Sequence, residues 1–296
     1  MSATTVLVVD DSPIDRRLAG ALLSKRGYAV TYASDGKDAL GKIRATRPDA
    51  VVTDLMMPEM TGLELVEAVR KEHPSVPVIL MTAHGSEETA INALRMGASS
   101  YVPKRRLSAD LADTVAAVIE IAQDVGRISS VDPLEAERVE FELGPDMSRL
   151  GDIVGQLEGQ LVQIGICDET GVLQVGVALR EAIVNAVVHG NLEVSSALLE
   201  QGGSAFSDAI EGRKKAQPYA SRRARVVAKY LPNQVEYVVS DDGPGFDPST
   251  LPDPTDISNL ERASGRGLML IRMFMDEVVF NDRGNEIRMI KRKPVA

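Results

Sequence analysis

Val6-Leu7-Val8-Val9-Asp10-Asp11-Ser12-Pro13-Ile14-Asp15 reads as a buried strand that ends in two carboxylates and turns at once into a helix. Four consecutive apolar residues without polar alternation describe a strand covered on both faces. Ser12 then supplies an N-cap, Pro13 suits the first helical position, and Asp15 puts an acid in the first turn. Working outward, short apolar runs recur at Ala29–Ala33, Ala50–Thr53, Val78–Met81 and Tyr101–Val102. Helical stretches fill the gaps, beginning near Pro13, Gly36, Gly62, Ser86 and Ser108. Alternation of this kind builds a parallel sheet with helices on both sides, so residues 1–122 are expected to form a doubly wound α/β domain.

Ligands of such sheets gather at the carboxyl ends of the strands. Asp10 and Asp11 follow the first strand, Asp54 the third, Thr82 the fourth and Lys104 the fifth. Three carboxylates meeting at one point repel unless a divalent cation neutralises them, and an all-oxygen ligand set suits Mg²⁺. A lysine and a hydroxyl beside them complete a site for a phosphoryl group. His73, in a polar turn before Pro74, and His84, after the fourth strand, are expected to be exposed loop residues.

These residues resemble the receiver domain of two-component response regulators. The likeness is carried by Val-Val-Asp10-Asp11-Ser, Asp54-Leu-Met-Met-Pro58-Glu-Met-Thr-Gly62, Met-Thr82-Ala-His-Gly and Gly97-Ala-Ser-Ser-Tyr101-Val-Pro-Lys104. The resemblance implies a flavodoxin-like, five-stranded parallel sheet in which Asp54 becomes an acyl phosphate, charged by an upstream histidine kinase. Asp10, Asp11, Asp54 and the Met56 carbonyl would hold Mg²⁺, Thr82 and Lys104 would contact the phosphoryl group, and Tyr101 would be the aromatic switch. The family usually carries a cis-proline after the lysine, where this chain has Arg105. A cis bond to a non-proline residue costs roughly 2.5–4 kcal/mol, so this loop is expected to run differently.

Bulk properties narrow the setting. At 296 residues there is material for two domains, each with its own core. A net charge of −10 argues against nucleic acid as a partner, and runs such as Arg222-Arg223 are too short to reverse it. One cysteine, Cys167, excludes an internal disulfide framework and fits a reducing compartment. Apolar runs fall short of the roughly 18 residues a membrane span needs, and no signal peptide is visible at the start. A cytoplasmic protein that does not enter the membrane is the expectation.

From Leu107 to Val125 a helix is expected, with Leu111, Val115, Val118, Ala122 and Val125 stepping by four and three. Two heptads are too few for a coiled coil, so this reads as the last helix of the first domain; a dimer contact, and hence a homodimer, is the alternative. Residues 123–135 are read as a helical linker and hinge.

Beyond it, Arg138–Leu143 alternates like a strand, while Met147–Ile166, Leu173–His189 and Leu268–Met275 read as helices. Arg225–Tyr230 with Gln234–Ser240, and Glu277–Phe280 with Glu286–Ile290, read as hairpins. Residues 136–296 are therefore expected to be an α+β sandwich. Within it, Glu181, Asn185 and His189 are spaced by four and would share one helix face. Glycines 243 and 245 let backbone approach a ligand, and Asp241 can accept a hydrogen bond from an amino group such as that of adenine. Gly265-Arg266-Gly267 opens a helix whose free N–H groups favour phosphate. Asn185 offers an oxygen to Mg²⁺, and residues 247–256 are read as a lid. Residues 192–220 are expected to be a loop, with a docking element as the alternative.

These blocks resemble the GHKL (Bergerat-type) ATPases, and among them the anti-sigma-factor serine kinases. The resemblance implies ATP and Mg²⁺ as cofactors, with Glu181 as general base, Asn185 on the metal, and Asp241, Gly243, Gly245, His189 and Gly265-Arg266-Gly267 around the nucleotide. Arg262 is the candidate lid arginine for the γ-phosphate. The function expected is a protein serine/threonine kinase controlled by phosphorylation of Asp54, with an anti-sigma antagonist or a sigma factor as partner. The chain has three histidines and none lies in residues 107–140, which disfavours a histidine kinase acting on itself. A histidine-kinase-like module acting in trans and a nucleotide-gated partner-binding module are the alternatives.

Overall fold

The computed structural model describes residues 3–83, 87–125, 138–200, 205–250 and 266–294. The chain separates into two compact units, the first of residues 1–127 with 169–177 and the second of residues 128–168 with 178–296.

The first unit alternates β1 (Thr5–Val9), α1 (Pro13–Lys25), β2 (Ala29–Ala33), α2 (Gly36–Thr46), β3 (Ala50–Asp54), α3 (Gly62–Glu72), β4 (Val78–Thr82), α4 (Glu87–Met96), β5 (Ser100–Pro103) and α5 (Leu107–Val125). All strand pairings are parallel, in the order β2-β1-β3-β4-β5. Every residue of β3 and β4 is buried, as their unbroken apolar runs require. Helix starts follow the sequence signals: Ser12 caps α1, Asp35 caps α2, and Thr61 with Glu64 forms a capping box at α3. Leu111, Val115 and Val118 are buried, so the heptad face of α5 serves as core of this unit. His73 departs from expectation: it is half-buried at the C-terminus of α3, its N–H bonded to the Val69 carbonyl. His84 and the segment 126–133 read as the hinge lie outside the described residues.

In the second unit, β6 (Arg138–Leu143), β7 (Ala224–Leu231), β8 (Gln234–Asp241), β9 (Glu277–Phe280) and β10 (Glu286–Arg292) form an antiparallel sheet ordered β6-β7-β8-β10-β9. Alternation sends Val226, Ala228, Val235, Val239 and Met289 to a buried face. Tyr230 and Tyr237 are buried beside them, and both hydroxyls donate to the Leu157 carbonyl, at 2.5 and 3.0 Å. That carbonyl belongs to α6 (Leu150–Glu158), which ends earlier than the expected Met147–Ile166 because Gly159 follows and turns replace the helix. Next in the chain comes α7 (Glu169–Val184), whose Glu169–Val177 stretch groups with the first unit and which continues as a π-helical turn over Asn185–Asn191. The whole of Glu169–Asn191 is long and apolar enough to cross a membrane, but 67% of its most apolar window is buried within the protein, as in a core helix. Residues 192–220 are not a bare loop: α8 (Ala197–Glu200), α9 (Ala205–Lys214) and a 3₁₀ turn at Tyr219–Ser221 occupy them. The unit's last helix is α10 (Arg266–Phe274).

Gly62 and Gly41 make a paired test of the first unit. A Cβ on Gly62 would collide with the Asp54 carbonyl oxygen, whereas one on Gly41, exposed in α2, meets nothing within 4 Å. Urea unfolding should show Gly62→Ala losing about 1–3 kcal/mol by overpacking and Gly41→Ala gaining about 0.5–1 kcal/mol from helix propensity.

Candidate functional site

At the carboxyl edge of the parallel sheet the chain leaves β1 at Asp10 and β3 at Asp54, because strand ends there give way to loops on one side of the sheet. Asp10 and Asp54 are buried, Asp11 is exposed, and one oxygen of each lies within 4.8 Å of the others. Lys104 reaches them from the end of β5: its Nζ is 2.9 Å from Asp10 Oδ2, 3.0 Å from Asp54 Oδ1 and 3.2 Å from Asp15 Oδ2. Burial holds the Asp54 carboxyl above its ordinary range, against the pull of Lys104. Burial would lower the lysine, but its hydrogen bonds with Asp10 and Asp54 hold it above its ordinary value. Asp10 Oδ2 is buried 2.9 Å from the Lys104 ammonium, and a carboxylate oxygen has lone pairs enough to face a cation as well. That donor set fits a hard, oxygen-seeking ion such as Mg²⁺.

The departure at Arg105 is absorbed locally. Lys104–Arg106 form a 3₁₀ turn that runs straight into α5, and among the described residues the cis peptide precedes Pro218, not Arg105. Lys104 is nevertheless at Asp54. Thr82 is buried at the end of β4, Tyr101 is buried in β5, and the Met56 side chain points outward. Sequence reading did not foresee Asp15 as a third partner of Lys104; its only signal was its place in the first turn of α1.

In the second unit three backbone approaches define a concave site. A Cβ on Gly190 would strike the Asp241 carboxylate, one on Gly243 would strike the Gly190 carbonyl, and one on Gly267 would strike Glu181 Oε2. Glycine is thus required at 243, where the end of β8 meets the backbone of the π-helical turn, whereas at Gly267 the atom met is the movable end of Glu181. Asp241 accepts the Gly243 N–H at 2.8 Å, and the Asp242 N–H donates to Asn191 Oδ1 at 2.9 Å. Asn285 brackets the strand end, its carbonyl accepting the Asp241 N–H at 2.9 Å and its Nδ2 donating to the Asp241 carbonyl at 2.7 Å. Gly245, with φ of 78°, packs on the Arg283 carbonyl, and Arg283 Nη2 donates to the Gly243 carbonyl at 2.9 Å. Burial pushes the Asp241 carboxyl up to about 6, partly offset by the Gly243 N–H and raised further by Asp242.

Glu181 lies on α7, and Asn185 and His189 lie on the π-helical turn that continues it. His189 is exposed, and its Nδ1 lies 2.6 Å from the Val194 carbonyl. A carbonyl only accepts, so Nδ1 carries the proton and Nε2 is left as the acceptor. Arg262 and Gly265, with residues 251–256 of the expected lid, lie outside the described residues. Asn191, Gly190, Asn285 and Arg283 were not singled out from sequence; a Gly-Asn pair closing a helix was the available signal.

Comparison with known proteins agrees with this division. Residues 6–116 match the family model described as response regulator receiver domain, and residues 149–291 the model described as histidine kinase-like ATPase domain. A probable transcriptional regulatory protein, TcrX, of Mycobacterium tuberculosis is 42% identical over 100 residues, 34% of this chain and 43% of that protein. The nitrogen assimilation regulatory protein NtrX of Azorhizobium caulinodans is 36% identical over 104 residues, 34% of this chain and 23% of that protein. The chain thus spans less than half the length of either relative. The crystal structure of the receiver domain of NtrX from Brucella abortus aligns at 34% identity, covering 40% of this chain and 96% of that one, with a TM-score of 0.36.

Asp241 should reveal itself in the pH dependence of stability. Unfolded, its carboxyl ionises near 3.8; folded, only near 6. Between those values the folded chain holds a proton that the unfolded chain has lost, so this residue lowers stability as pH rises from about 4 to about 6. Urea titrations across that range should show the advantage of Asp241→Asn over wild type growing up to about pH 6 and levelling off above it.

Proposed function

Because residues 6–116 are a response regulator receiver domain and residues 149–291 a histidine kinase-like ATPase domain, we propose that the chain is a receiver-controlled protein serine/threonine kinase of the anti-sigma-factor type. The receiver would span residues 1–122, a helical linker 123–135 and the kinase 136–296. Asp54 would take a phosphoryl group from an upstream histidine kinase, forming an acyl phosphate beside Asp10, Asp11 and Lys104. Mg²⁺ held by the three carboxylates and the Met56 carbonyl would supply the positive charge that lets an anionic donor approach. Lys104, already ion-paired at 3.0 Å with Asp54, is placed to follow the charge onto the phosphoryl oxygens, with Thr82 as the hydroxyl partner. Tyr101 would report the change.

In the kinase, Asp241 would accept the adenine amino group, Gly243 and Gly245 would keep the backbone close to the base, and Asn185 would hold Mg²⁺ on the phosphates. The N-terminus of α10, with Arg266 and Gly267, would face those phosphates, with Gly265, Arg262 and His189 as further contacts. The observation that carries the reading is the Glu181 carboxylate lying against Gly267, a carboxylate base set at the start of the helix where phosphate would bind. Glu181 would take the proton of an acceptor hydroxyl as its oxygen bonds the terminal phosphorus and ADP leaves. The acceptor is assigned to a serine or threonine of an anti-sigma antagonist because the stretch 107–140 contains no histidine.

The test uses γ-labelled ATP, Mg²⁺ and an antagonist protein carrying a target serine. Glu181→Gln should cut transfer by roughly 10²- to 10⁴-fold, the range for a positioned general base, while ATP affinity changes less than about threefold. The product should be acid-stable, as a phosphoserine is. Transfer undiminished in Glu181→Gln, or an acid-labile product on the partner, overturns the assignment.

A further inference from the structure

The segment between the π-helical turn and β7 is built as a clamp on that turn. Phe206, Ile210 and Tyr219 pack over the buried Val188, Leu192 and Val194. Two arginines then close its polar side. Arg213 Nη1 donates to the Leu192 carbonyl at 2.7 Å and to the Glu193 carbonyl at 2.5 Å. Arg222 Nη1 donates to the Asn191 carbonyl at 2.8 Å and is held by Glu193 Oε1 at 2.7 Å. Both guanidinium groups lie over the Tyr219 ring, 5.2 and 5.3 Å from its centre. His189, through Nδ1, ties the same turn to Val194.

A helix end leaves its last carbonyls without partners and carries partial negative charge, so cations that donate to them stabilise and orient it. Here the oriented residue matters. Asn191 is 2% exposed, and its side-chain oxygen accepts the Asp242 N–H, next to the carboxylate read as the adenine acceptor. Arg222 therefore grips the backbone of Asn191 while the Asn191 side chain grips the loop bearing Asp241. The Arg222 charge also reaches Asp241 itself, pulling its carboxyl down against the rise from burial.

We propose that Arg222 is a positioning residue for nucleotide recognition, acting through Asn191 to set the Asp241–Gly243 loop, and that Glu193 and Tyr219 hold it there. This rests on the reading of the second unit as an ATP site. The guanidinium is suited to the task because it is planar, permanently charged and able to serve a carbonyl, a carboxylate and an aromatic face together.

Calorimetric titration of the full chain with non-hydrolysable ATP and GTP analogues tests this. Arg222→Ala should weaken binding of the ATP analogue roughly 10-fold or more, as loss of a charged hydrogen bond would, and should shrink the preference for adenine over guanine. Arg222→Lys, which keeps one cationic donor, should recover part of both. The double variant Arg222→Ala/Asn191→Ala should bind no more weakly than the weaker single variant, since one acts through the other. Additive losses, or unchanged affinity and base preference in both Arg222 variants, overturn the proposal. If the wild type binds neither analogue, the ATP site itself is refuted, a result distinct from unchanged binding in the variants.

Discussion

Lys104 stands 2.9 Å from Asp10 and 3.0 Å from Asp54, and the order of the receiver's whole carboxyl edge follows from the charge it balances. Three carboxylate oxygens within 4.8 Å of one another, two of them from buried residues, repel unless positive charge lies among them. One lysine does not suffice for three, and the lone pair left on the buried Asp10 Oδ2 marks where further positive charge belongs. The fold is arranged to keep that demand standing. Parallel strands deliver the acids to one edge, the Thr61–Glu64 capping box fixes the loop after Asp54, and Gly62 lets that loop return against the Asp54 carbonyl.

The second unit meets the same constraint differently. Asp241 is half-buried with no lysine beside it; its nearest support is a single backbone N–H from Gly243. Its carboxyl is correspondingly pushed up to about 6. Asn285 and Asn191 hold its loop in place through hydrogen bonds to the loop's backbone, and the Arg222 and Arg283 charges pull its carboxyl down only in part. The two units thus differ in how they carry buried charge: the first gathers acids around one lysine, while the second sets Asp241 against a backbone N–H and Glu181 beside Gly267 at the start of α10.

Much of this was legible in the sequence because it depends on local rules. Unbroken apolar runs marked β3 and β4, Ser12-Pro13 marked the start of α1, and acids at successive strand ends marked the cluster around Lys104. What was not legible depended on tertiary packing. The π-helical turn at Asn185–Asn191 has no sequence signature. The helix after Met147 ended early at Glu158, where the Tyr230 and Tyr237 hydroxyls take the Leu157 carbonyl and the Leu161 N–H turns to the Glu158 carbonyl instead. The segment 192–220 looked like a polar loop because its apolar residues, Phe206, Ile210 and Tyr219, are sparse; they find burial only on the helix they cover. Asp15 and Asn191 owe their roles to partners 89 and 51 residues away, separations that local pattern reading does not bridge.

The claim on which the rest depends is that the chain keeps its two phosphate chemistries apart, with Asp54 accepting from outside and the ATP site donating to another protein. The direct measurement is to incubate the purified chain by itself with Mg²⁺ and either labelled acetyl phosphate or γ-labelled ATP, and to identify the labelled residue. Acetyl phosphate should place an acid-labile label on the wild type that is lost in Asp54→Asn, and ATP should leave no phosphohistidine on the chain. A phosphohistidine formed from ATP on the chain itself would contradict this reading and restore self-phosphorylation as its chemistry.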